Sequence, residues 1–347
     1  MKDIRSLTFE ELKAEVSALN MPAFRAKQIY GWLHKTPVFS FDEMTNISKA
    51  DRQRLGEVFS LDPMTIADVQ ISQIDGTRKY LYALADGNMI ESVWMEYKHG
   101  NSVCISTQVG CRMGCTFCAS TIDGLARNLT AGEMLAQVYA MARETGKKVS
   151  NIVTMGSGEP MDNYDNVCKF IRMVSDENGM NLSQRNITVS TCGIVPNIKR
   201  FADEGFGVTL AISLHASNDV IRRRTMPIAN AFSIDQIMEA CRYFFDKTGR
   251  RLTFEYALIK GVNDSAETAK ELAGLLHGLN CHVNLIPVNP IKERDYVQTE
   301  RAHVFEFQKL LEKYGINATI RREMGRDIDG ACGQLRKHHL DEAKNKQ

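Results

Sequence analysis

Residues 110–120 read GCRMGCTFCAS, with cysteines at 111, 115 and 118. Thiolate is a soft ligand that suits zinc and iron–sulfur centres. A structural zinc site takes four tetrahedral ligands, commonly from two distant Cys-x2-Cys pairs. This stretch is a single compact Cys-x3-Cys-x2-Cys, and no second pair accompanies it. Gly110 and Gly114 allow the loop to fold tightly around an inorganic core. A 4Fe–4S cluster ordinarily takes four cysteines, so three would leave one iron open to an outside ligand. Zinc, or three free thiols, are the competing readings.

Outward from this loop the chain alternates short apolar runs with amphipathic ones. SVCISTQ, NIVTM, RNITVST, VTLAISL, RLTFEYALI and HVNLIP read as strands, and NATIRRE as a last one. AGEMLAQVYAMARE, SIDQIMEACRYFFDK and SAETAKELAGLLHGL, among others, have helical spacing of apolar residues. Repeated strand–helix units predict an α/β fold with a parallel sheet. Six units fit a partial (β/α)6 barrel better than a closed eightfold one, with a doubly wound sheet as the alternative. The strands run into the cysteines, GSGEP, STCG, SLHAS, KGVND and VNP. Ligand sites in such folds form at the carboxyl ends of the strands, so these termini are expected to meet at one mouth.

Upstream, residues 1–62 read as a helical domain whose basic surface is either an RNA-binding face or a solvated helix surface. Thr8-Phe9-Glu10-Glu11 has capping-box spacing, a second helix is expected over 23–34, and a third over 41–59. Arg25, Lys27, Lys35, Lys49, Arg52 and Arg54 make the region basic. Residues 63–98 read as a small antiparallel β meander, with Asp75-Gly76 and Asp86-Gly87 at its turns. Residues 99–347 form the barrel with a C-terminal cysteine loop.

The composition is that of a globular chain: 347 residues, 44% hydrophobic, 24% charged, net charge +1. Bulk charge therefore does not announce a nucleic-acid binder, and basic groups would have to cluster to serve as one. No run of eighteen apolar residues and no charged-then-apolar leader is present, so a cytoplasmic protein with no membrane partner is expected. Nine cysteines in a reducing compartment favour ligation or catalysis over structural disulfides.

The spacing Cys-x3-Cys-x2-Cys, with Phe117 before its last cysteine, resembles the radical S-adenosylmethionine superfamily. GSGEP (156–160) strengthens that likeness, because a Gly-rich segment there contacts the cofactor and a carboxylate such as Glu159 can accept from an ammonium. The longer set VCISTQVGCRMGCTFCAS, RNLT, MGSGEPMDNYDNV, VSTCGIVP, SLHAS, MPI, GVND, VNLIPVNP and DIDGACGQL resembles the RlmN/Cfr family of dual-specificity RNA methyltransferases. NLIPVNP looks more like the RlmN branch, which methylates adenine carbon 2, than the Cfr branch, which methylates carbon 8.

The resemblance implies a partial radical-SAM barrel, one 4Fe–4S cluster on Cys111, Cys115 and Cys118, and two S-adenosylmethionine molecules per turnover. One methylates Cys332 to S-methylcysteine, and the other yields a 5′-deoxyadenosyl radical. That radical takes a hydrogen from the S-methyl group, and the carbon radical adds to the adenine. Cys104 then attacks Cys332, forming a transient disulfide that releases the base. Glu91, of MIESVWM, is implied as the proton acceptor, and strand alternation puts it on a face with Met89, Val93 and Met95, an apolar setting. Glu159, Pro160, Ser190, Ser213, Leu214, His215 and Asn289 are implied as cofactor contacts. His215 read alone is a satisfied core histidine. The implied partners are 23S ribosomal RNA and an electron donor such as flavodoxin or ferredoxin, with transfer RNA, beside the anticodon, an open second substrate.

Read without the family, Cys332 lies between Gly330 and Gly333, where the backbone is expected to be mobile. Cys104 lies on the strand face opposite Val103 and Ile105. Arg222, Arg223, Arg224, Arg321 and Arg322 are candidates to grip phosphates. The chain departs from the family pattern at Ser157, Cys192 and Gly330. A radical enzyme with another substrate, or an RNA-binding module with a structural metal, are the alternative functions.

Overall fold

The computed structural model describes residues 1–61, 64–289, 294–329 and 332–345, with 340–345 described by backbone alone. The expected boundary at 62/63 and the departure at Gly330 lie outside the described residues.

The N-terminal helices are α1 (Phe9–Ala18), α2 (Phe24–His34) and α3 (Lys49–Val58). Thr8 caps α1 with the anticipated reciprocal box to Glu11. The third helix is shorter than the spacing suggests. Ser40 caps a 3-10 turn at Phe41–Glu43, and α3 begins only after Ser48 accepts a hydrogen bond from Asp51 N. These elements bury their own core, including Leu12, Val16, Ile29, Leu33 and Leu55.

Ten strands form one sheet: β1 (Thr65–Ile71), β2 (Arg78–Ala83), β3 (Met89–Tyr97), β4 (Gly100–Cys104), β5 (Asn151–Thr154), β6 (Ile187–Thr191), β7 (Thr209–Ser213), β8 (Leu252–Leu258), β9 (Cys281–Pro287) and β10 (Ala318–Ile320). They lie side by side in sequence order. β1 to β4 pair antiparallel, and β4 to β10 pair parallel. The meander thus forms where the turn dipeptides place it and hydrogen-bonds directly to the barrel sheet. Its inner residues Tyr80, Tyr82, Ile90 and Trp94 share the barrel's core.

Seven flat parallel strands would separate the first from the last by ~29 Å. Yet Cys104, at the end of β4, and Arg321, just beyond β10, border the same cavity. The sheet is therefore curled, with β1 and β10 as its open edges. The crossovers of the parallel strands carry α4 (Ala131–Thr145), α5 (Tyr164–Val174), α6 (Val195–Asp203), α7 (Asp219–Thr225), α8 (Ile234–Thr248), α9 (Ala266–Leu276) and α10 (Arg301–Lys313). A last helix, α11 (Gln334–Asn345), follows Cys332. This is the partial barrel the strand–helix rhythm predicts.

Candidate active site

The cysteine loop is framed before it is filled. β4 stops at Cys104 instead of running into the loop, and a separate short strand, Gln108–Gly110, pairs antiparallel with Leu125–Asn128 to close the loop's base. Asn163 pins that base by donating to the Thr107 and Leu129 carbonyls at 2.8 Å each. Inside, Thr121 Oγ1 donates to the carbonyls of Cys115 and Cys118, and Thr116 N donates to Thr225 O on α7. Gly110 sits at φ +75°, where a Cβ would collide with the Gly124 carbonyl. Gly110→Ala should therefore cost at least ~2 kcal/mol from backbone strain alone. A thermal melt beside an iron assay should show both a lower Tm and reduced iron content. Wild-type values for both would show that the frame tolerates the side chain.

Cys111 and Cys115 are buried, Cys118 is half-buried, and all three border one cavity of about 650 Å³. Among the described residues no three His, Cys, Asp or Glu side chains are disposed around a single-ion position. Burial pushes the Cys111 thiol up to about 12 and the Cys118 thiol to about 11, and lifts Cys115 further. Such thiols become thiolates when a bound cation offsets the desolvation. Arg222 stands behind the loop, fully buried, donating to Cys192 O at 2.5 Å and Leu214 O at 3.3 Å. Its Nη1 has no hydrogen-bond partner among the described residues. A buried guanidinium with one unpartnered N–H, set against Cys115, fits an anionic thiolate-held cluster. It also removes Arg222 from the phosphate-gripping candidates, whereas Arg223 and Arg224 are exposed.

The strand ends meet around this cavity as expected. Gly158, at φ +107°, lets the GSGEP turn approach Gln108, where a Cβ would lie 2.6 Å from the Gln108 Cβ. Ser157 turns its hydroxyl to Ser120, 3.0 Å away, which ties this turn to the cysteine loop. Glu159 is buried, which raises its pKa, and its carboxylate accepts from Met161 N at 3.0 Å and Cys192 N at 2.7 Å. Pro160, Ser190, Ser213, His215 and the exposed Asn289 also border the cavity. Ser190 and Ser213 hydroxyls lie 3.3 Å apart.

His215 has a left-handed backbone, φ 55°, and its ring packs edge-on against Phe117 at 4.9 Å. Its Nδ1 accepts from Ala257 N at 2.9 Å, so the neutral ring carries its proton on Nε2. Burial holds the imidazole neutral, down to about 3. Leu214 is the exception: its side chain is buried away from the cavity, its N–H bonds Glu255 O, and its carbonyl serves Arg222.

Cys104 and Cys332 border the cavity too. Val103 and Ile105 are wholly buried in the core on the other face, as alternation requires. Burial raises the Cys104 thiol to about 12. Cys332 is an exposed residue, and its thiol donates to Met155 O at 3.2 Å, just past β5. The surrounding protein nonetheless raises its pKa.

Gly333 is a close-approach glycine: at φ +83°, a Cβ would sit 2.7 Å from Ser120 N, and its own N–H is tied down. One expectation about this corner is corrected: Glu91 is not in an apolar setting. It is buried with Lys79 Nζ at 3.1 Å, and its carboxylate accepts from Gly333 N at 2.7 Å and Arg336 N at 2.5 Å.

Sequence reasoning overlooked Lys79. The signal was available, since alternation in TRKYLYALA sets a lysine on the face of Leu81 and Ala83. Arg321 and Arg322, read as phosphate candidates, border the cavity mouth and are exposed. In the N-terminal region Arg25 and Arg52 lie against Asp51 and Asp42. No helix among the described residues is long and apolar enough to cross a membrane.

Known proteins place this architecture. Residues 105–273 match the Radical SAM superfamily, and residues 2–61 match the ribosomal RNA large subunit methyltransferase N-terminal domain. A probable dual-specificity RNA methyltransferase RlmN from Lachnospira eligens is 59% identical over 99% of this chain and 98% of its own. One from Clostridium novyi is 54% identical over 98% of this chain and 99% of its own. The crystal structure of a radical SAM methyltransferase from Sphaerobacter thermophilus superposes with a TM-score of 0.93, at 45% identity, covering 96% of this chain and 99% of that one. With three thiols, a fitted cavity and full-length likeness in agreement, the chain belongs to the RlmN family of radical S-adenosylmethionine RNA methyltransferases.

Proposed function

We propose that the protein methylates carbon 2 of an adenosine in 23S ribosomal RNA, with Cys332 as the methyl carrier and Cys104 as the releasing thiol. The observation that carries this reading is that both spare thiols border the same cavity as Cys111, Cys115 and Cys118. Carbon 2 of adenine is electrophilic and has no readily acidic proton, so direct transfer from a sulfonium to a nucleophile does not apply to it. When bound, a 4Fe–4S cluster and S-adenosylmethionine supply the radical that such a carbon requires.

Cys111, Cys115 and Cys118 would hold the cluster. Glu159, Pro160, Ser190, Ser213, His215 and Asn289 would hold S-adenosylmethionine. The His215 Nε2–H remains a donor. Leu214 would act through its backbone, its side chain lying away from the cavity. Cys332, on the cavity lining, carries the methyl group. Glu91 takes the proton from carbon 2. Cys104 bonds to the Cys332 sulfur as the sulfur–methylene bond breaks; that bond's electron pair stays on the carbon, which takes a proton to become the methyl group of the freed base.

Transfer RNA beside the anticodon is a second substrate in this reading, flavodoxin or ferredoxin the reductant, and the cytoplasm the compartment. The test is anaerobic reconstitution with ribosomal RNA from a strain lacking the modification, followed by nucleoside analysis. Wild type is expected to form 2-methyladenosine. Formation of 8-methyladenosine alone would move the protein to the Cfr-type reaction. Cleavage of S-adenosylmethionine with neither product would point to another substrate.

A further inference from the structure

The antiparallel register aligns a row of side chains across the sheet. Gln70 pairs with Lys79, Lys79 with Val93, and Val93 with Cys104. Directly opposed residues of antiparallel strands share a face, so Gln70, Lys79, Val93 and Cys104 form one line across β1 to β4. Glu91 pairs with Leu81 on β2 and stands diagonal to Lys79 on that face.

The C-terminal segment is tied along this line at successive points. Gln70 grips Asp329 with both ends of its amide: Asp329 N donates to Oε1 at 2.8 Å, and Nε2 donates to Asp329 Oδ2 at 3.1 Å. Lys79 Nζ donates to the Asp329 carbonyl at 2.5 Å. Glu91 receives Gly333 N and Arg336 N. Further out, Asp327 accepts from Ser72 Oγ and Gln73 N, and Gly325 N donates to Asp75. Cys332 falls between the Lys79 and Glu91 attachments, and its sulfur reaches Met155 O beside the end of β5.

Lys79 is the centre of this arrangement. It is wholly buried, and a lysine in such a place demands a partner. It binds the segment before Cys332 directly and, through its 3.1 Å pair with Glu91, braces the group that binds the segment after it. A hydrophobic pair would serve the sheet's stability as well or better. The charge is explained by what it holds.

We propose that Lys79 is a positioning residue, and that the row Gln70–Lys79–Glu91 is a docking track that sets Cys332 against Cys104. The meander then has a task in the reaction: it presents the methyl carrier. The proposal rests on the reading of Cys332 and Cys104 as partner thiols.

The test is hydrogen–deuterium exchange on the anaerobic full-length holoenzyme, comparing wild type with Lys79→Met and Gln70→Leu. Lys79→Met leaves Glu91 buried without its cation and can weaken the fold. Gln70→Leu cuts two bonds at a half-exposed position and leaves the ion pair intact. Exchange of the peptide covering 325–339 is expected to rise about tenfold in each folded variant, while peptides of β6 to β8 keep wild-type rates. At saturating RNA, kcat should fall by a similar factor with KM and iron content unchanged. Unchanged exchange of the tail peptide in both variants overturns the proposal, as does a rise shared equally by β6 to β8. Exchange needs no RNA. A wild type that forms no 2-methyladenosine while its tail responds as expected refutes the proposed function and leaves the track standing.

Discussion

A Cys104→Ala enzyme is expected to stop with RNA covalently attached to Cys332. Its turnover should fall by at least about a thousandfold, in the manner of a lost catalytic nucleophile. Cys104 ends β4 with its side chain on the cavity side, and alanine occupies a strand end without strain. Cluster content, fold and the first chemical steps are therefore expected to survive, and only the thiol that breaks the protein–RNA link is missing. The adduct should appear under turnover as RNA-bound protein on a denaturing gel, and nuclease digestion should leave a modified Cys332 peptide. Burial raises the Cys104 thiol to about 12, so in the resting site it is a protonated thiol. Multiple turnovers at the wild-type rate, with no adduct, would remove Cys104 from the release step.

Much of this site was legible before any coordinates, for a physical reason. Ligand chemistry needs particular atoms at short spacings, and Cys111, Cys115 and Cys118 supply three soft donors within eight residues. Strand alternation likewise puts Cys104 on the side opposite Val103 and Ile105, as found. Glycines at a close approach, such as Gly158, were visible as a motif, although their neighbours were not.

What stayed hidden is non-local. That Glu91 would be met by Lys79, Gly333 and Arg336 depends on registers between strands and on a segment some 240 positions later, separations of 242 and 245 residues. Local pattern carries no information about that pairing. The same limit explains Gly333, whose close packing on Ser120 depends on a contact far away in sequence. Of the phosphate candidates burial removes one: Arg222 and Arg223 are adjacent in sequence, and only Arg223 is exposed.

Cys332→Ala is expected to remove RNA methylation altogether, on the order of 10⁴-fold or more, without disturbing the site. The segment around it is held through backbone groups, Asp329 O, Gly333 N and Arg336 N, none of which depends on the thiol. The variant should therefore bind iron like wild type and keep its tail protected from exchange. The wild-type Cys332 peptide should gain one methyl group on incubation with S-adenosylmethionine, and the variant none. Combining it with Cys104→Ala sharpens the result, because the double variant should form no adduct where Cys104→Ala alone accumulates one. That reversal places Cys332 before Cys104 in the sequence of events, which neither single variant does. Catalytic 2-methyladenosine above background from Cys332→Ala would mean that the methyl group reaches the base without passing through this sulfur, and the carrier role would then have to be abandoned even with the cavity and its three cluster thiols unchanged.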